Sequence, residues 1–273
     1  MKARQASRLA VLGAGKMGSI LLHAFLRSRV VNPRSLSATV AHPERARLLS
    51  RQFPFPVTVD NRAAAERANV LLLCVKPQVV AAALEAISPV MNAKKLLISV
   101  AASVPTRYIE ERLPRGVRVV RAMPNTPATI GAAITAVCAG SSASAADLHA
   151  ARELFDTVGR TLVVDEKHMD AVTALSASGP AYIYVVLESL AEAGVKVGLP
   201  REMATLLAAQ TVSGAAQMVL ETGSHPALLK DAVTTPAGCT IDGLMELEEG
   251  KLRVTLIKAV VKATQRASEL LFN

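Results

Sequence analysis

Leu9-Ala10-Val11-Leu12-Gly13-Ala14-Gly15-Lys16-Met17-Gly18, running on into the helix-patterned segment Ser19 to Arg29, is the stretch that decides the fold. An apolar, strand-like run ends in glycines spaced G-x-G-x-x-G and passes directly into a helical pattern. In such a turn the first glycine permits a tight reversal, the second a close backbone approach to a pyrophosphate, and the third close packing of helix on strand. Amides at the helix start lack intrahelical partners and, with the positive end of the helix dipole, face an anion. Gly13, Ala14, Gly15, Lys16, Met17 and Gly18 are therefore the first candidates for a dinucleotide-binding turn.

Outward from this turn, β-rich runs alternate with helical stretches as far as Val164, which predicts a doubly wound, largely parallel sheet. Strands are expected at Arg8–Leu12, Leu36–Val40, Val57–Val59, Val70–Val75, Leu96–Val100, Val117–Ala122, Ala132–Cys138 and Thr161–Val164. Helices are expected at Lys16–Arg29, Glu44–Arg51, Asn61–Arg67, Val79–Ile87, Thr106–Arg112 and Ser144–Val158, the last closed by Gly159 as a C-cap. From Glu166 onward the strand signal disappears. The expected segments are Lys167–Ala177, Ala181–Val197, Arg201–Glu221, Ala227–Val233 and a pair starting at Ile241 and Arg253. The fold class is thus α/β, an N-terminal Rossmann-type domain over 1–165 followed by an all-helical domain over 166–273. The segment Ala181–Val197 is apolar nearly all round, which requires burial, and a small domain offers few places for it. It is expected to pack against another subunit.

The chain has 273 residues, 51% hydrophobic but only 3% aromatic and without Trp, so its core must be built from Ala, Val, Leu and Ile. No run of about 18 uninterrupted apolar residues stands out, and no signal-like core opens the chain, so a cytoplasmic protein without a membrane partner is expected. Cys74, Cys138 and Cys239 lack metal-type spacing and read as small hydrophobes. The net charge is +9, composed of +12 up to Asp165 and −3 after it. That excess falls on the domain expected to hold phosphates, where it would speed capture of a polyanionic cofactor. Clustered basic runs and aromatic platforms for nucleic acid are not visible, so no nucleic-acid partner is expected.

The choice of dinucleotide turns on the second strand, where an Asp or Glu would bond an NAD ribose and repel a phosphate. Leu36 to His42 contains no acid, while His42, Arg45 and Arg47 follow it, which favours NADP, with NADPH preferred and NADH possible. A second anomaly is Val233-Thr234-Thr235-Pro236-Ala237-Gly238-Cys239-Thr240-Ile241, a polar breaker between helices of an apolar domain. With Thr240 as N-cap, its hydroxyls and free amides could hold a carboxylate, or the segment could be an ordinary capped turn. Lys76 beside Pro77 lies at the ligand-binding edge of the sheet; Lys196 at a helix C-terminus is explained by the dipole alone. Glu166 and His168 open the second domain and are candidates for contact with substrate.

At this point the sequence resembles pyrroline-5-carboxylate reductases. Thr234 to Leu244 is similar to that family's signature of Ser-Pro-Gly-Gly, one residue, then Thr; Thr235 stands for Ser and Ala237 for the first Gly. Cys74-Val75-Lys76-Pro77, Arg121 to Pro127, Ala174 to Tyr182, Gly194 to Pro200 and His225-Pro226 with Leu229-Lys230-Asp231 fall in the family's order along the chain. The resemblance implies reduction of the cyclic imine 1-pyrroline-5-carboxylate to proline, the last step of proline biosynthesis, with NADPH or NADH. It implies a helical domain that dimerises, often further to a decamer. By position, Thr235, Gly238, Cys239 and Thr240 would surround the substrate, with the Thr240 hydroxyl near the ring nitrogen. Asn61 would lie by the adenosine, and Val75, Lys76, Pro77, Ala101 and Ala102 along the nicotinamide. Two other readings stay open on the residues alone: a hydroxyacid dehydrogenase using Lys196, and a noncatalytic NADP sensor.

Overall fold

In the computed structural model, which describes residues 8–269, all eight expected strands form one sheet. They are β1 (Leu9–Leu12), β2 (Leu36–Thr39), β3 (Val57–Thr58), β4 (Val70–Leu73), β5 (Leu96–Ser99), β6 (Arg118–Met123), β7 (Ala133–Ala139) and β8 (Gly159–Val163). Their order is β3-β2-β1-β4-β5-β6-β7-β8. Every neighbouring pair is parallel except β6 with β7, which run antiparallel. The order reverses beside β1, whose Leu9 is in register with Leu36 on one side and Val70 on the other. Such a reversal opens a crevice at the carboxyl ends of the strands, where ligands of open α/β sheets bind.

Helices α1 (Lys16–Ser28), α2 (Pro43–Ser50), α3 (Asn61–Arg67), α4 (Val80–Ile87), α5 (Thr106–Glu110) and α6 (Ala145–Phe155) connect the strands. At β1 the sheet is buried on both faces, so this strand reads as an unbroken apolar run rather than an alternation. Leu9 and Val11 pack with Leu21, Leu22 and Phe25 of α1, while Ala10 and Leu12 pack with Ala64 and Ala65 of α3 and Leu84 of α4. Burial of both faces is what fixes β1 at the centre. Helix α3 is held at both ends: the Asp60 carboxylate accepts from the Ala63 amide at 2.9 Å, and the Lys95 ammonium donates to the carbonyls of Ala65, Glu66 and Ala68 at 2.6, 2.9 and 2.7 Å. A cation on the last carbonyls of a helix satisfies orphan acceptors and complements the dipole.

Gly159 does not cap a helix. Helix α6 ends at Phe155, and Gly159 opens β8 with φ +152°, where a Cβ would lie 2.0 Å from the Ala133 carbonyl oxygen. The segment expected as one helix from Lys167 to Ala177 is a 3₁₀ turn (Glu166–His168), a short α7 (Met169–Val172) and a π turn (Thr173–Ala177). By internal contacts the chain falls into two compact units. Described residues up to Ser178, with 263–269, form the first unit, and Gly179–Lys262 the second. Thr106, Arg121 and Asn125 hold the 166–178 segment to the sheet unit through bonds to Glu166 and Ser176 and contacts with Asp170.

The second unit contains α8 (Gly179–Lys196), α9 (Arg201–Thr222), α10 (Pro226–Ala232), α11 (Cys239–Glu249) and most of α12 (Leu252–Glu269). Gly194 lets α9 approach α8, since a Cβ there would meet the Ala204 Cβ at 2.8 Å. Within the single chain α8 buries only Ala191; Tyr184 and Val185 are each 62% exposed, and on α9 Leu206 is 69% exposed. Among the described residues α9 alone is long and apolar enough on average to cross a membrane, although no uninterrupted apolar run in it reaches that length. It reaches that average with Thr205, Gln210, Ser213 and Gln217 spread along it.

Candidate functional site

The crevice at the reversal is a cavity of about 520 Å³, within the range of small-molecule and cofactor sites. Gly13, Ala14 and Gly15 after β1, Thr39 at the end of β2 with Val40, Ala41 and His42 after it, Val59 and Asn61 after β3, and Cys74 to Lys76 after β4 line it, with Arg45 of α2. Gly13 has φ +96°, and a Cβ there would meet the Cys74 carbonyl oxygen at 2.9 Å. At Gly15 a Cβ would meet nothing within 4 Å, so this is the point at which a phosphate can approach the backbone.

The amides of this turn divide into two sets. Those of Gly13 and Ala14 donate to the Thr39 carbonyl at 3.1 and 2.7 Å and so close the turn against β2. The amides of Gly15, Lys16 and Met17 have no protein acceptor among the described residues and start α1. Three free donors on a helix N-terminus suit a pyrophosphate. His42 caps α2 by position and, with Arg45, brings nitrogen donors and a positive charge to the end of the cavity at β2. No acid lines it, so an adenosine 2′-phosphate would meet cations and no repulsion.

Not every residue assigned to this site lines the cavity. Of the G-x-G-x-x-G set, Gly18 is buried and serves packing, because a Cβ there would sit 2.4 Å from the Gly13 carbonyl oxygen. Lys16 is exposed, and Met17 packs towards the core. Val75 and Lys76 line the cavity; Pro77 starts the 3₁₀ turn behind them. Ala101 is buried after β5, and Ala102 packs on Met123, Ala136, Cys138 and Met169. Thr39, Val59, Val79, Ala82 and Ala83 also line the cavity and were not picked out from the sequence. A hydroxyl ending the second strand is the signal that would have found Thr39.

In the helical unit the polar breaker forms a turn in front of α11. Gly238, not Thr240, is the N-cap, and no side chain caps the helix. The chain is turned by Ala237 in the left-handed region at φ +56°, so the position where the family pattern has Gly keeps a glycine-like backbone with a methyl group on it. Such a conformation costs an alanine about 1–2 kcal/mol. At Gly238 a Cβ would lie 2.4 Å from the Thr235 hydroxyl oxygen and 3.1 Å from its carbonyl oxygen, so a side chain there would push the Thr235 hydroxyl aside. The amides of Cys239 and Thr240 and the hydroxyls of Thr235 and Thr240 have no protein partner among the described residues. Thr240, at the second helical position, therefore offers its own amide as well as its hydroxyl. Such a group of donors at a helix start suits a carboxylate.

Glu166 is engaged with the protein. Its carboxylate accepts from the Thr106 amide at 2.7 Å and the Thr106 hydroxyl at 2.5 Å, and the Arg121 guanidinium stands 3.5 Å away. Lys196 ends α8 and is exposed, as the dipole explanation requires. Of the cysteines, only Cys138 is fully buried; burial first, then the Glu166 carboxylate, pushes its thiol up to about 12, so it stays protonated. Cys239 is exposed at the start of α11, contrary to its reading as a buried hydrophobe.

Comparison with known proteins places these features. Residues 8–103 match the family described as NADP oxidoreductase, coenzyme F420-dependent, and residues 166–270 match pyrroline-5-carboxylate reductase dimerisation. A pyrroline-5-carboxylate reductase of Methanosarcina acetivorans is 42% identical over 96% of this chain and 97% of its own. The crystal structure of Plasmodium falciparum pyrroline carboxylate reductase with NADP bound superposes with a TM-score of 0.89 at 29% identity, covering 98% of this chain and 100% of that one. The Coxiella burnetii enzyme gives 0.88 at 34% identity, covering 97% and 98%. On full-length identity and fold together, the chain belongs to the pyrroline-5-carboxylate reductase family.

Proposed function

We propose that this chain catalyses the NAD(P)H-dependent reduction of 1-pyrroline-5-carboxylate to L-proline, the last step of proline biosynthesis. The observation that carries the reading is the pair of donor sets on one chain: free amides at Gly15–Met17 for a pyrophosphate, and free amides and hydroxyls at Thr235–Thr240 for a small carboxylate. The enzyme uses NADP(H), and it is a homo-oligomer.

Bound NADPH supplies the hydride. The chain's residues supply the rest. The amides of Cys239 and Thr240, aided by the α11 dipole, hold the ring carboxylate, with Gly238 and Thr235 shaping the turn around it. A new C–H bond forms at the ring carbon as the C=N π bond breaks, and the electron pair stays on nitrogen. That nitrogen must arrive protonated or take a proton in the step. The Thr240 hydroxyl orients it and relays a proton from solvent, so no separate acidic side chain is needed. Holding the reactants in register while excluding water is the larger contribution.

The test is loss of NADPH absorbance on adding racemic pyrroline-5-carboxylate, with a hydroxyacid plus NADP as control. Oxidation of the hydroxyacid would favour a dehydrogenase, and inactivity on both a cofactor sensor. For the cofactor, Arg45→Glu replaces a cavity-lining cation by an anion. It should raise the KM for NADPH by about tenfold, from loss of one charge-assisted contact, while the KM for NADH changes little. Equal effects on both cofactors would remove Arg45 from phosphate recognition.

The exposed apolar residues of α8 and α9 give the oligomer its interface in this reading, as a dimer that assembles further into a decamer. Light scattering is expected to return a multiple of the chain mass down to low concentration. A stable monomer would overturn the interface. The three cysteines are unpaired, in keeping with work in a reducing cytoplasm.

A further inference from the structure

We infer that Thr39 is a positioning residue for the adenosine end of the cofactor, acting through Asn61; this rests on the reading that the cavity at the strand ends takes NADP(H). Thr39 ends β2, is 1% exposed, and its hydroxyl has two neighbours. The Gly13 amide donates to it at 3.3 Å, and it stands 2.6 Å from the Asn61 carbonyl oxygen Oδ1. A hydroxyl has one proton to give. Asn61 Oδ1 can only accept, so the Thr39 proton lies on that bond.

This fixes the Asn61 amide. With Oδ1 held by Thr39, the Nδ2 donor has no protein acceptor among the described residues, and Asn61 lines the cavity. A free carboxamide could turn either end outward, and the carbonyl end would repel the ribose and phosphate oxygens of an adenosine 2′-phosphate. The Thr39 hydroxyl selects the donor end, because with the amide reversed both Asn61 Nδ2 and the Gly13 amide would donate to it and its own buried proton would have no acceptor. Main-chain position is fixed as well, because Asn61 opens α3, which Asp60 and Lys95 hold at its two ends. The same Thr39 takes the Gly13 and Ala14 amides on its carbonyl, so one residue ties the glycine turn and the adenosine side together. Being neutral, it does so without the charge that would exclude a 2′-phosphate.

The test is calorimetric titration of the full chain with NADP⁺, adenosine 2′,5′-bisphosphate and nicotinamide mononucleotide. Thr39→Val should weaken NADP⁺ and the adenosine bisphosphate alike, by about tenfold, the scale of one hydrogen bond. Nicotinamide mononucleotide should be unaffected. Thr39→Ser, which keeps the hydroxyl, should bind like the parent, and Thr39→Val should add nothing in an Asn61→Ala background. The inference is overturned if Thr39→Ser is as weak as Thr39→Val, if the two losses add, or if the bisphosphate binds Thr39→Val unchanged. Should Thr39→Val not fold, Asn61→Asp carries the test: it keeps the Thr39 bond but turns an anion outward, so the bisphosphate should be lost, and unchanged affinity would overturn the assignment. A parent chain that binds neither NADP⁺ nor the bisphosphate would remove the cofactor reading itself, a result distinct from all of these.

Discussion

Thr240→Val is expected to lower turnover by roughly two to three decades, the rate equivalent of the ~2.7–4 kcal/mol that one preorganised donor contributes to a transition state. The substitution is nearly isosteric. Valine keeps the β-branch and the backbone amide, so the α11 start, whose cap is Gly238, is left in place, and only the hydroxyl is lost. If that hydroxyl orients the imine nitrogen, the loss falls on kcat, while titration with NADPH gives the parent affinity. A Thr240→Ser variant, retaining the hydroxyl, should recover most of the rate. Unchanged turnover in Thr240→Val would take the proton relay away from this residue and leave only the amides at the turn.

Much of this architecture was legible because the decisive features are local. An apolar run, three glycines at fixed spacing and a helical pattern specify β1, the turn and α1, and the same logic found each of the eight strands. Apolarity all round α8 marked a helix that its own chain does not cover. What was missed depends on contacts distant in sequence. Gly159 read as a helix C-cap because caps and strand starts can both require a positive φ; the Ala133 carbonyl, visible only in the β7–β8 pair, decides between them. Thr240 read as an N-cap because hydroxyls favour that position. The left-handed Ala237 moves the helix start back, to Gly238, and no local propensity announces an alanine there. The role of Thr39 is likewise not local, because it comes from Gly13 and Asn61, which lie 26 and 22 residues away along the chain.

The two remaining glycines of the turn separate packing from binding, and substitution by alanine should show it. In Gly18→Ala the new methyl would sit 2.4 Å from the Gly13 carbonyl oxygen and 3.4 Å from the Cys74 Cβ. The oxygen is backbone in a turn already tied to Thr39, so α1 must move off its strand. Overpacking of this kind costs about 1–3 kcal/mol, which should lower Tm by about 2–12 °C at the ~2–4 °C per kcal/mol of larger domains. Gly15→Ala is the opposite case. Its methyl meets nothing within 4 Å, so the cost is only that of a poorer N-cap and of an alanine at φ −76° and ψ −152°, just beyond the broad β region, together about 1–2 kcal/mol of stability. The methyl would, however, occupy the space through which a pyrophosphate reaches the Gly15, Lys16 and Met17 amides. The KM for NADPH should rise at least tenfold, on the order of the 1.4 kcal/mol or more lost with one such contact. Calorimetric melting and steady-state kinetics on the two variants read both quantities. A Gly15→Ala enzyme with parental KM would mean that the phosphates do not lie on this helix start, and a Gly18→Ala enzyme with parental Tm would mean that α1 can shift without cost.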